Sequence, residues 1–157
     1  MNHADRLPDP GRTLTTDHEL EETIGRLLEH AMNPRQVWLL FIDDAHRLTP
    51  AILPLAGYPR HPADRVVTAD LGECGFARVL AHRLRSVLAA EELSEAALVW
   101  ERLGADSFTP DDLAWACALA DECRVVGVPL RAQFVLHDGG LRPIAADDYA
   151  GTEWRDR

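Results

Sequence analysis

Ala96-Ala97-Leu98-Val99-Trp100 is a short apolar strand, Glu101 to Phe108 is a polar loop, and Thr109-Pro110-Asp111-Asp112 opens a helix that runs on to Val126. A loop that leaves the C-terminal end of a strand and enters a helix N-terminus is where α/β proteins often place their chemistry. This loop holds no His, no Cys and no Lys, and it has a single Gly, Gly104. The layout is that of a site, and the usual ingredients are missing. Helix capping by itself accounts for Thr109, Pro110, Asp111 and Asp112: a threonine N-cap, proline at the first helical position and acids in the first turn.

The segments on either side extend the pattern. Downstream, the helix closes near Gly127 with Pro129 beyond it, as helix ends commonly do. Leu130 to Leu136 reads as a strand, and His137-Asp138-Gly139-Gly140 is a hairpin turn into a last strand over Leu141 to Ala145. Upstream, Gly75 to Glu92 places Phe76, Val79, Leu80, Leu84, Val87 and Leu88 on one helical face. Gln36-Val37-Trp38-Leu39-Leu40-Phe41-Ile42 is an unbroken apolar run that suits a strand buried on both sides. A polar turn and a second strand over Leu48 to Leu55 follow it, with Pro50 and Pro54 pushing that strand to an edge. Thr16-Asp17-His18-Glu19 is a capping box for a first helix over residues 17–32. Ala56 to Asp70 reads as loop, with a short strand at Arg65-Val66-Val67.

The order is therefore helix, hairpin, helix, strand, helix, hairpin. It predicts an α/β domain with a mixed sheet, hairpins at both ends and about three helices. One domain over residues 15–148 is expected, with tails at 1–14 and 149–157.

Composition narrows the function classes. The chain has 157 residues, enough for one domain with a real core, and a formal net charge of -10. That charge disfavours nucleic acid and anionic membrane. Arg78, Arg83 and Arg85 could form a local basic patch on one helix, and a solvated face is the simpler reading. Every basic residue is Arg, which rules out Schiff-base, phosphate-loop and general-base lysines. Cys74, Cys117 and Cys123 are odd in number and scattered, so buried thiols are expected in place of disulfides. There is no apolar run of membrane length and no leader-like start, so a cytoplasmic location is the default. Trp38, Trp100 and Trp115 read as core or interface anchors.

The order and the local spellings resemble the RadC branch of the JAB/MPN metalloprotease fold over roughly residues 18–148. Gln36 to Leu48 looks like that family's first hairpin, in which an aliphatic strand runs into an Asp-x-x-Asn-Arg turn. Val128 to Leu136 is similar to its penultimate strand. The resemblance implies a cytidine-deaminase-like three-layer architecture. It also implies a zinc motif of His-x-His, seven residues, Ser, two residues, Asp, with a Glu base on the first strand. Laid without gaps on this chain, the two His positions fall on Val99 and Glu101. The Ser and Asp positions fall on Thr109 and Asp112, and the Glu falls near Gln36. A catalytic zinc needs three protein ligands and an open position. Val99 has no lone pair, and Gln36 cannot act as a base.

The expectation is a non-catalytic interaction or scaffold domain with no catalytic residue, no metal ligand and no cofactor. Its partner would be a protein or a second copy of the chain. Binding is expected at a cleft around Gln36, Glu101, Asp106, Thr109 and Asp112, with Glu101 a solvated carboxylate at the strand end, or at a sheet edge such as Leu48 to Leu55. The alternative is a metal-dependent hydrolase that draws relocated ligands from Glu101, Asp112, His46 and His137. His61 and His82 show no ligand spacing.

Overall fold

Strand alternation sorts the long apolar run of the first hairpin onto two sides of a sheet. Val37, Leu39 and Phe41 join one core cluster, and Leu40 and Ile42 join another. A computed structural model describes residues 13–155. The elements are α1 (Asp17–Leu28), β1 (Arg35–Ile42), β2 (Leu48–Ala56), β3 (Arg65–Thr68), β4 (Gly72–Gly75) and α2 (Phe76–Ala90). After these come β5 (Glu95–Arg102), α3 (Pro110–Val126), β6 (Leu130–His137), β7 (Gly140–Ile144) and the short α4 (Ala146–Tyr149).

The main sheet has five strands in the order β2-β1-β5-β6-β7, and β3 and β4 form a separate two-stranded ribbon. β1 runs antiparallel to β2 and β5, β5 and β6 are parallel, and β7 returns antiparallel to β6. The sheet is mixed, as the hairpins require, and α3 makes the one parallel crossover, between β5 and β6. α2 and α3 cover one face through Leu80, Leu84, Trp115 and Leu119. α1 covers the other face through Leu20 and Ile24, against Leu40, Ala97, Val99 and Phe134. The domain is thus a helix, sheet, helix sandwich with a core on each side of the sheet. Among the described residues no helix is long and apolar enough to cross a membrane.

Several expectations change. The first helix stops at Leu28 and does not reach residue 32. Glu29 turns the chain with a positive φ (61°), and the next amides face the sheet, where Ala31 N–H donates to the His137 carbonyl at 2.9 Å. Gly72–Gly75 is a strand paired with β3, on a stretch to which the sequence reading assigns no element before its helix begins at Gly75. Two glycines and a length of four residues leave no alternation to read there. The tails also shrink. Residues 1–12 lie outside the described residues, but Leu14 is buried and Thr13 bridges Arg47. At the other end Trp154 is only 6% exposed, and its indole N–H donates to Asp121 at 2.9 Å. The close of α3 is as expected: Gly127 (φ 91°) takes the left-handed position that a Cβ disfavours, and its N–H donates to the Cys123 carbonyl. All three cysteines are free and buried.

Candidate functional site

The last four residues of β5 alternate across the sheet, and that alternation decides the site. Val99 packs on the α1 side, and Trp100 packs on the α3 side. Glu101 follows Val99, and Arg102 follows Trp100. The two neighbours at the strand end therefore serve opposite faces.

Glu101 is not the solvated carboxylate expected from its position; it is 2% exposed. Its Oε2 accepts from the backbone N–H groups of Met32 and Asn33, both at 2.7 Å. Its Oε1 accepts from the Trp38 indole N–H at 2.8 Å, and the Asn33 side-chain amide reaches both oxygens at 3.1 and 3.2 Å. Gln36 Nε2 stands 3.5 Å from Oε1, at the outer limit of a hydrogen bond. None of these donors carries a charge. Burial alone would raise the carboxyl pKa, but the donors from Met32, Trp38 and Asn33 outweigh it and hold the pKa below its ordinary value. Glu101 is a buried anion neutralised by dipoles. It pins the segment between α1 and β1 to the end of β5.

On the other face Asp112 is 7% exposed and sits against the Arg102 guanidinium. Arg102 Nη2 donates to Oδ2 at 2.8 Å, and Nε donates to both carboxylate oxygens at 3.0 and 3.1 Å. The same guanidinium donates to the carbonyls of Ala105 (2.8 Å) and Ser107 (2.9 Å), which folds the loop around it. Asp112 also completes a capping box with Thr109: the Thr109 N–H donates to Oδ2 at 2.9 Å, and the Asp112 N–H donates to Thr109 Oγ1 at 3.1 Å. Three N–H donors therefore converge on Oδ2, and Oδ1 shares the Arg102 Nε–H.

The expected cleft is closed. What remains between Arg35, Tyr58, Trp100, Arg102 and Trp115 is a cavity of about 40 Å³, room for about one water. Its floor is aromatic, with Tyr58 5.7 Å from Trp100 and 5.3 Å from Trp115, edge to face. Burial, with Asp112 and Asp111 acting against Arg35, pushes the Tyr58 hydroxyl up to about 12, so it stays neutral. Asp106 is exposed on the loop, where its carbonyl accepts from Arg142 at 2.8 Å. Thr109 is a helix cap, and Gln36 is an outer neighbour of Glu101.

The relocated ligand set does not assemble. Glu101 and Asp112 turn to opposite faces of the sheet. Gln36 lies across from Glu101, while His46 follows Ile42 at the far end of β1; at about 3.3 Å per residue, Gln36 and Ile42 are roughly 20 Å apart. His137 is turned into its own hairpin, where Nδ1 accepts from the Gly139 N–H at 3.1 Å. Among the described residues no group of three or more His, Cys, Asp or Glu side chains is placed to hold a metal ion. The basic patch is broken up as well: Arg78 pairs with Glu122 at 2.7 Å and Arg83 with Asp70 at 2.7 Å.

Sequence reasoning missed Arg102, Trp38 and Asn33. Arg102 had a usable signal. Two positions past Trp100, it shares that residue's face, and the helix-opening Asp112 had to find a counter-charge there. The ungapped motif placed the pattern on Val99 and Glu101, which look away from Asp112. No protein-family model matches this chain, and no curated protein matches it.

Proposed function

We propose that this chain is a non-catalytic interaction or scaffold domain, a RadC-like relative of the JAB/MPN fold whose metal chemistry is gone. One observation carries the reading. Where a strand end and a helix start would hold a metal and a water, Arg102 fills the space, and Asp112 is consumed by the guanidinium and the helix cap. A guanidinium is always charged and has no lone pair, so it repels a cation and cannot ligate one. The order helix, hairpin, helix, strand, helix, hairpin and the three layers support the fold side of the reading.

The interaction side rests on what the same end of the sheet presents. Met32, 78% exposed, sits on the segment held by Glu101, and Leu103, 52% exposed, sits just after Arg102. Large apolar side chains on a firmly pinned backbone suit contact with a protein surface, because little ordering remains to be done on binding. Both strands at the sheet edges carry proline, Pro50 and Pro54 in β2 and Pro143 in β7, which discourages simple strand addition. The partner is a protein or a second copy, met through this rim.

Zinc titration of purified, tag-free protein at neutral pH tests the reading. Calorimetry should show no stoichiometric site, and Arg102→Ala should not create one. Tight zinc binding at one equivalent by the unaltered chain overturns the proposal.

A further inference from the structure

A second concavity lies away from the closed strand end, between the β3–β4 ribbon, the start of α2, the last turns of α3 and the C-terminal segment. It has a volume of about 450 Å³ and is lined by Arg65, Arg78, Arg155, Glu122, Cys74 and Trp154, with Ala63 and Gly75 between them. That volume falls in the range of small-molecule sites. Three guanidiniums around one groove are unexpected in a chain with a net charge of -10.

What those guanidiniums leave unused matters most. Arg78 donates from Nε to buried Glu122 at 2.7 Å, which fixes its plane and leaves both Nη groups without an acceptor among the described residues. Arg65 stands 3.6 Å from Glu73, and Arg155 stands 3.7 Å from Asp121 while lying over the Trp154 ring at 4.5 Å. Those two separations are too long for hydrogen bonds. Glu122, Glu73 and Asp121 each face one of these arginines, and among the described residues the three guanidiniums make a single hydrogen bond, from Arg78 Nε to Glu122. A guanidinium offers five donors in a rigid fork that matches carboxylate and phosphate oxygens. The first turn of α2, which borders the groove at Gly75 and Arg78, has no acidic residue and no side-chain cap. Its dipole adds to the same preference without carrying it.

We propose that this groove binds a small molecule bearing an oxyanion, carboxylate or phosphate, gripped by Arg65, Arg78 and Arg155. The Glu122 contact positions Arg78 and leaves its outer edge to the ligand. The proposal is independent of the closed strand end, and either can fail alone.

The test is a titration of the full chain with inorganic phosphate in one arm and malonate in the other, followed by the arginine Nε–H resonances in NMR. Arg78→Met would strip buried Glu122 of its partner, so the variants are Arg65→Met and Arg155→Met, with Arg85→Met as an exposed control on α2. The expected result is saturable shifts of the Arg78 Nε–H, weakened about tenfold by each groove variant and unchanged in the control. Saturation by phosphate alone assigns a phosphorylated ligand, by malonate alone a carboxylate one, and by both the oxyanion class. No saturation in either arm, or equal loss in the Arg85→Met control, overturns the proposal.

Discussion

Glu101 and Arg102 are neighbours in sequence, yet they anchor two separate assemblies solved in opposite ways. On the α1 face a buried anion is held by neutral dipoles: two backbone amides, an indole and a side-chain amide. On the α3 face the buried anion is Asp112, held by a guanidinium and by the start of its own helix. The first arrangement ties a distant segment to the strand. The second plugs the gap between strand and helix. An acidic residue at the end of a strand can thus be a structural hub with no counter-ion at all. An acidic residue in a helix's first turn can be a lock on what looks like an active site.

The largest effect is expected on the dipole side. Glu101→Leu keeps the volume and removes every acceptor, leaving the amides of Met32 and Asn33 and the Trp38 indole without their partner. Charge-assisted hydrogen bonds contribute about 1.5–3 kcal/mol each, so a loss of roughly 3–4 kcal/mol in urea unfolding is expected after partial rescue by water. Amide exchange at Met32 and Asn33 should speed up even where the fold survives. A loss below about 1 kcal/mol, no more than an average point substitution costs, would break the comparison.

The same carboxylate sets a pH dependence with a definite sign. Its folded pKa lies below the ordinary value, so the unfolded chain takes up the proton first as pH falls. The stabilisation is fully present above the unfolded pKa of about 4.3 and is lost as pH drops through the folded value. The stability difference between the unaltered chain and Glu101→Gln should be flat at neutral pH and shrink below that threshold. A difference that changes between pH 6 and 8 would point to another group.

On the ionic side Arg102→Met keeps most of the stem and leaves Asp112 buried beside nothing but its cap. A loss of roughly 2–3 kcal/mol is expected, less than a fully stranded buried charge costs, because the helix N-terminus still faces the carboxylate. The loop through Ala105 and Ser107 loses its carbonyl anchors at the same time and should become the first segment cut in limited proteolysis. Thr109→Ala is smaller again. It removes one N-cap oxygen while Asp112 stays paired, so about 1 kcal/mol is expected. If Thr109→Ala exceeds Arg102→Met, the cap and not the guanidinium holds this face.

The sequence carried much of the fold and little of this contrast. Gln36 to Ile42, Leu48 to Leu55 and Leu130 to Leu136 were legible because apolar runs and turn residues report burial directly, and Thr109-Pro110 marked its helix to the residue. β4 escaped because Gly72-Glu73-Cys74-Gly75 has neither alternation nor length. Glu101 was misjudged because its partners, Met32, Asn33 and Trp38, are more than sixty positions away. A strand-end carboxylate looks the same on paper whether it meets water or three buried donors. The groove lined by Arg65, Arg78 and Arg155 was invisible for the same reason, since its walls come from four separate stretches of chain.

The sharpest test of the comparison is the smallest effect. If the two faces are independent, a double-mutant cycle of Glu101→Gln with Arg102→Met should give nearly additive losses, with a coupling energy below about 0.5 kcal/mol. Residues adjacent in sequence are ordinarily poor candidates for additivity. Here the strand sends one side chain to the α1 layer and the next to the α3 layer, and they share no hydrogen-bond partner. A coupling of 1 kcal/mol or more would mean that the end of β5 moves as a unit. The plug at Asp112 would then depend on the hub at Glu101, and loosening one would open the other.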